Sequence, residues 1–260
     1  MMLCRMLQSP IMLMRRILLS LAVWTGIVCV TALCSFLAPI VFLVVPAATG
    51  TALPLLARWC VWSYGRAVSW MLGLFFPLHL EGVCGEKKES PRIYVFNHAS
   101  LFDLFLITQV VPPDCICLAR QWPFSVPVFG PVMRLGGYIN TEKCFGEEVL
   151  RKARTLLEHK TSVAVFPEGT RSRTREMSRF RSGAFKLSIL AGVPVTPVTI
   201  EGTGRILPPG AFLMRPGRIR LRALNDVFPA PYIDESLGHA AMRRFTHERI
   251  QACVSATATL

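Results

Sequence analysis

Two short stretches of this chain hold residue types that do chemistry together. The first is Ile93-Tyr94-Val95-Phe96-Asn97-His98-Ala99-Ser100-Leu101-Phe102-Asp103. An apolar run that ends abruptly in Asn-His predicts a buried strand delivering a histidine to an open sheet edge. Ser100, with Asp103 three residues on, predicts a helix start with Ser100 as its N-cap. The turn lets the His98 imidazole fold back toward Asp103, whose carboxylate would sit at the positive end of that helix. A carboxylate that holds one imidazole N–H leaves the other ring nitrogen free as a base. Alone, Ser100 and Asp103 are as well read as a plain helix cap. His-x4-Asp is a weak pattern, and its weight comes from what stands downstream.

The second stretch is Val163-Ala164-Val165-Phe166-Pro167-Glu168-Gly169-Thr170-Arg171-Ser172-Arg173. Pro167 stops a strand, and Gly169 lets backbone N–H groups approach a ligand closely. Thr170 and Arg171 add a hydroxyl and a fork of donors suited to phosphate oxygens. Arg173, Arg175, Arg179 and Arg181 follow within one loop, with Lys186 soon after. For Arg175 and Arg179 a solvated basic face touching anionic lipid is an equal reading.

The elements around these stretches set the fold class. Short strands over Ile93–Asn97, Cys115–Ala119, Ser162–Phe166 and Val195–Ile200 alternate with helices from Ser100, over Glu147–His159 and over Ser182–Ala191. Arg218–Leu224 alternates Arg with apolar residues and reads as an edge strand with one wet face. Arg120–Asn140, with three prolines and Gly136-Gly137, reads as mostly irregular, and a terminal helix runs from His239. The alternation predicts an α/β domain with a largely parallel sheet flanked by helices. In such sheets ligands bind beyond the carboxyl ends of the strands. His98, Glu168 and the Glu201-Gly202-Thr203 turn would then face one crevice.

Before that domain the composition changes. No charged residue occurs from Ile17 to Ala57, and no acidic residue precedes Glu81. A span needs roughly 20 apolar residues, so this run is long enough to enter a bilayer and too long for a cleaved signal. Pro39 predicts a kink and Pro46–Pro54 a turn. A second apolar helix over Leu55–Phe76 carries Arg58, Arg66 and three tryptophans, which suits the headgroup layer. Arg5, Arg15 and Arg16 precede the run, and the turn carries no charge. Both ends then prefer the cytoplasm, which favours a membrane-associated helical hairpin over a single crossing. Glu81–Pro91 reads as the polar passage between residues 1–80, the membrane-associated helical region, and 81–260, the catalytic domain on the cytoplasmic face.

Net charge is +13, from 29 basic and 16 acidic residues, which points to anionic partners. No aromatic–basic nucleic-acid module is present, so membrane lipids and phosphorylated substrates are expected instead. Nine cysteines, with no Cys-x-x-Cys pair, read as thiols in a reducing compartment and imply no metal. Gly-x-Ser-x-Gly, a P-loop and His-Glu-x-x-His are absent, which disfavours a serine acyl-enzyme.

The blocks Asn97–Asp103, Phe166–Ser172 and Val193-Pro194-Val195-Thr196-Pro197-Val198 resemble, in order and spacing, those of glycerolipid acyltransferases of the lysophosphatidic acid acyltransferase (PlsC-like) type. The resemblance covers about Glu81 to Glu201. It implies transfer of a fatty acyl group from acyl-CoA or acyl carrier protein to a lysolipid acceptor, most simply 1-acylglycerol-3-phosphate, with no cofactor. It implies His98 as the base, Asp103 as its orienting partner, and Glu168, Gly169, Thr170 and Arg171 at the acceptor's headgroup. One block departs. Where the family carries an arginine after Gly-x4, this chain has Thr141, and Lys143 is the nearest substitute charge. Another lysolipid acceptor (such as lyso-ornithine lipid), a remodelling transacylase, or a non-catalytic membrane-binding protein with the same fold are the competing readings.

Overall fold

The computed structural model describes residues 10–82, 90–172 and 177–258. Arg5, most of the polar passage before Pro91, Arg173 and Arg175 lie outside these. The strands are β1 (Leu78–Glu81), β2 (Ile93–Phe96), β3 (Cys115–Cys117), β4 (Ser162–Val165), β5 (Val195–Glu201) and β6 (Ile219–Ala223). The helices are α1 (Pro10–Thr49), α2 (Leu53–Phe75), α3 (Asp103–Leu106), α4 (Gln121–Phe124), α5 (Phe129–Leu135), α6 (Glu147–Glu158), α7 (Gly183–Ala191), α8 (Thr203–Ile206) and α9 (Gly238–Ala258).

One six-stranded sheet runs β1-β6-β5-β2-β4-β3. Every neighbouring pair is parallel except β5 with β6, so the sheet is mixed and largely parallel. β2 lies at its centre and is buried on both faces, which explains its unbroken apolar sequence. Tyr94 and Phe96 join Val68, Leu72, Phe76 and Phe102 on one side. Ile93 and Val95 join Ile116, Val163, Phe185 and Ile250 on the other. Full burial of a side chain such as Phe96 contributes about 1.5–3 kcal/mol.

Three elements differ from the sequence reading. β6 is not an edge strand, because β1 pairs along it, Leu78 with Ile219 through Glu81 with Arg222. Its wet face is real: Arg220 and Arg222 both reach the Glu81 carboxylate. The supposedly irregular 120–140 segment forms α4 and α5, with Pro and Gly at helix ends and turns. α1 runs on through Pro39 and Pro46 to Thr49, so the turn shortens to Gly50–Ala52. There Gly50, at φ +68°, donates its N–H to the Pro46 carbonyl and ends the helix.

α2 also departs from a simple headgroup helix. Its inner face is a layer of the core, and Gly65 lies so close to Thr108 that a Cβ there would meet it at 2.5 Å. Arg58 donates to Asp114 Oδ1, to the Gly136 carbonyl and to Thr161 Oγ1, each at 2.7 Å. The outer face keeps Trp59 and Trp70 exposed. α1 packs on α2 through residues such as Val23, Ile27 and Val30. Its most apolar window, with mean hydropathy 2.7, is otherwise unburied. At 1.5 Å per residue α1 is about 60 Å long, a helix consistent with membrane association.

Candidate active site

β2 hands the chain to the site through Asn97. Its Nδ2 donates to the Ile200 carbonyl and its Oδ1 accepts the Ile200 N–H, both at 2.8 Å. The end of β2 is thereby stapled to β5, and His98 leaves the sheet at a fixed point. His98 Nδ1 lies 2.9 Å from Asp103 Oδ2. The same oxygen accepts the Ala99 N–H at 2.7 Å and the Ser100 N–H at 2.8 Å. Asp103 is 0% exposed. A carboxylate so held fixes the imidazole with its proton on Nδ1, and Nε2 is the nitrogen left for a ligand.

Ser100 is not the N-cap. α3 begins at Asp103 with no side-chain cap, and Asp103 itself reaches back to the preceding amides. Ser100 Oγ instead donates to the Leu207 carbonyl at 2.9 Å. The His98 ring stacks on Phe166, centroids 4.2 Å apart at 29°. The His98 ring is thus held twice, at Nδ1 by a carboxylate and across its face by an aromatic ring.

Glu168 is 6% exposed, and its carboxylate faces backbone rather than solvent. Oε1 accepts the His98 N–H at 2.8 Å, and Oε2 accepts the Ser178 N–H at 2.9 Å and the Ser172 hydroxyl. The Ser172 N–H in turn donates to the His98 carbonyl at 2.8 Å. Glu168 therefore ties the two motif loops together. It does not line the cleft, unlike Gly169, Thr170 and Arg171, which do. Gly169 has φ +75°, and a Cβ there would lie 2.9 Å from the Arg181 guanidinium carbon. Glycine is needed both for the turn and for Arg181 to lie across it.

The cleft occupies about 730 Å³ beyond the carboxyl ends of β2, β3 and β4. Its lining includes the apolar Leu101, Leu104, Leu118, Trp122, Phe145 and Leu187. It also includes four cations, Arg120, Arg171, Arg181 and Lys186, and one acid, Glu147. Thr141 lines it, while Lys143 is exposed outside it and Glu201 is buried in β5 away from it. Cys117 also lines it, but burial pushes its thiol up to about 12, which keeps it protonated and poorly nucleophilic.

Arg120 carries no mark in the sequence, and Arg181 is marked only as one of a basic run. Arg181 sits in a basic run like any other, and only its N–H bond to the Pro167 carbonyl at 2.8 Å returns the chain to the cleft. Arg120 comes to Thr141 through pairing of Ala119 with Asn140, and it is held there by Glu142 at 2.6 Å. Neither placement has a local sequence signal. The whole arrangement offers an oriented imidazole in a cleft with both apolar and cationic lining.

Residues 82–201 match the acyltransferase family model. A 1-acyl-sn-glycerol-3-phosphate acyltransferase of Cocos nucifera is 27% identical over 67% of this chain and 57% of its own length. One of Saccharomyces cerevisiae is 28% identical over 69% and 62%. One of Haemophilus influenzae is 33% identical over 45% and 51%. The chain thus spans about half to three-fifths of the length of these relatives. The crystal structure of the 1-acyl-sn-glycerophosphate acyltransferase PlsC from Thermotoga maritima superposes with a TM-score of 0.77 at 25% identity, covering 95% of this chain and 98% of that one.

Proposed function

We propose that this chain, whose residues 82–201 match the acyltransferase family model, moves a fatty acyl group from a thioester, acyl-CoA or acyl carrier protein, to the free hydroxyl of 1-acylglycerol-3-phosphate. The observation that carries this is the placement of His98, oriented by buried Asp103, in a cleft lined by both apolar and cationic side chains. An acyl chain needs the apolar side chains and a phosphate the cationic ones.

In this reading His98 Nε2 takes the proton of the acceptor hydroxyl as its oxygen attacks the thioester carbonyl. The tetrahedral oxyanion then collapses, the C–S bond breaks, and the imidazolium returns the proton to the leaving thiolate. The products are a new ester, phosphatidic acid, and a free thiol. Asp103 holds the tautomer and steadies the imidazolium. Such a base contributes about 10²–10⁴-fold. Glu168 acts as a positioning residue, while Gly169, Thr170 and Arg171 meet the headgroup with Arg181 beside them. The catalytic domain would work on the cytoplasmic face, next to its lipid acceptor.

Thr141 supports a second reading, in which the acceptor is another lysolipid, because it puts no charge at its place in the cleft. Arg171, Arg181 and Lys186, which line the same cleft, favour the phosphate. Purified full-length protein given labelled acyl-CoA and a panel of lysolipids should make phosphatidic acid fastest. Preferential acylation of a zwitterionic lysolipid would replace the first reading with the second.

A further inference from the structure

Residues 207–215 form a loop tied to the catalytic turn at one end and to α1 at the other. Ser100 Oγ donates to the Leu207 carbonyl at 2.9 Å, the Arg215 N–H closes the loop on the Ile206 carbonyl at 2.9 Å, and Pro209 lines the cleft. From α1, Trp24 Nε1–H donates to the Phe212 carbonyl at 3.0 Å and Arg16 Nε–H to the Met214 carbonyl at 3.3 Å. The Met214 N–H donates to Ser20 Oγ at 2.7 Å. Met214 is buried, but Phe212 is 79% exposed and Leu213 39% exposed. They continue an apolar stripe of α1, since exposed Leu21 and Val28 lie one helical turn either side of Trp24.

The charge around this tip is of one sign. From Gly202 to Asn225 the chain has five arginines and no acidic residue. Arg220 and Arg222 are taken by Glu81. Arg205, Arg215 and Arg218 are exposed, and no ion pair holds them among the described residues. An apolar tip on a segment that carries cations and no acid is the complement of an anionic lipid surface.

We propose that residues 207–215 are a membrane-contact loop. Phe212 and Leu213 enter the headgroup–acyl boundary beside α1, and Arg205, Arg215 and Arg218 meet lipid phosphates. Because the loop is bonded to the catalytic turn, this contact holds the mouth of the cleft at the bilayer surface. The occupant is a bilayer rather than a second copy, because the tip is continuous with a helix long and apolar enough to enter lipid.

The test uses full-length protein in phosphatidylcholine vesicles with or without phosphatidylglycerol. A fluorescent amino acid placed at 212 should be quenched by lipids brominated near the top of the acyl chain. The same probe at Phe228, which is 60% exposed at the amino-terminal end of β5, should not be. Phe212→Asp should raise the apparent KM for vesicle-borne lysolipid about tenfold, with turnover of a short-chain soluble acceptor unchanged. Arg215→Gln should reduce the gain given by phosphatidylglycerol, by about fivefold at most. An unquenched probe at 212 overturns the proposal. So does equal loss on both acceptors, or burial of 212 in detergent that tracks a dimer mass by light scattering.

Discussion

At the scale of single residues the proposed chemistry rests on His98 Nε2 and on the cations that line the same cleft. His98→Ala should cut transfer by about 10²–10⁴-fold while circular dichroism and vesicle binding stay unchanged. Asp103→Asn should cost at least about 10²-fold, since an amide placed among three N–H donors cannot hold the same tautomer. Near-normal turnover in a folded His98→Ala protein would rule out the base. Arg171→Ala and Arg181→Ala should each raise KM for a phosphate-bearing acceptor by roughly ten- to a hundredfold, the value of a lost charge-assisted bond of about 1.5–3 kcal/mol. KM for the acyl donor should barely move. Lys143→Ala should leave both constants alone, because its side chain is outside the cleft. Cys117→Ala should retain turnover within about threefold, and iodoacetamide at pH 8 should leave Cys117 unlabelled, because the thiolate forms only as pH approaches 12.

At the scale of elements the central prediction concerns Glu168. As a headgroup ligand its loss would raise KM. As a brace between two loops its loss should instead lower kcat and Tm together, and Glu168→Gln should show the second pattern. The central strands and the His98–Asp103 pair were legible in the sequence, because a strand buried on both faces is apolar without interruption and its end is abrupt. The hydrogen bonds of Glu168 were not legible, since His98 lies in another loop and Ser178 ten residues on. β1 was hidden because Leu78–Glu81 has only four residues and follows directly on an apolar helix. With β1 unseen, β6 could only read as an edge. α5 was hidden by the prolines and glycines at its boundaries, and the length of α1 by Pro39 and Pro46, which an apolar helix tolerates where a soluble one breaks.

At the scale of the whole molecule, α1 and α2 are not equivalent. A chain beginning at Thr51 should unfold cooperatively at a lower temperature, having lost the packing of Val23. A chain beginning at Glu81 should show no cooperative transition in calorimetry. It lacks Leu72 and Phe76 from the core, and Asp114 loses Arg58. Retention of a sharp transition without α2 would refute its place in the core. The pairing of β1 with β6 also orders events in time. Glu81 and Arg222 lie 141 residues apart, and the ribosome adds about 5–20 residues per second. The apolar hairpin therefore emerges roughly 7–30 seconds before the strand that completes its side of the sheet is made. Until β5 and β6 arrive, the core cluster that α1 and α2 share with Val198, Ile200, Ile219 and Leu221 is incomplete, and a bilayer would host their apolar faces meanwhile. Delivery to lipid should thus precede completion of the enzyme, and a ribosome stalled before β6 should already be membrane-bound.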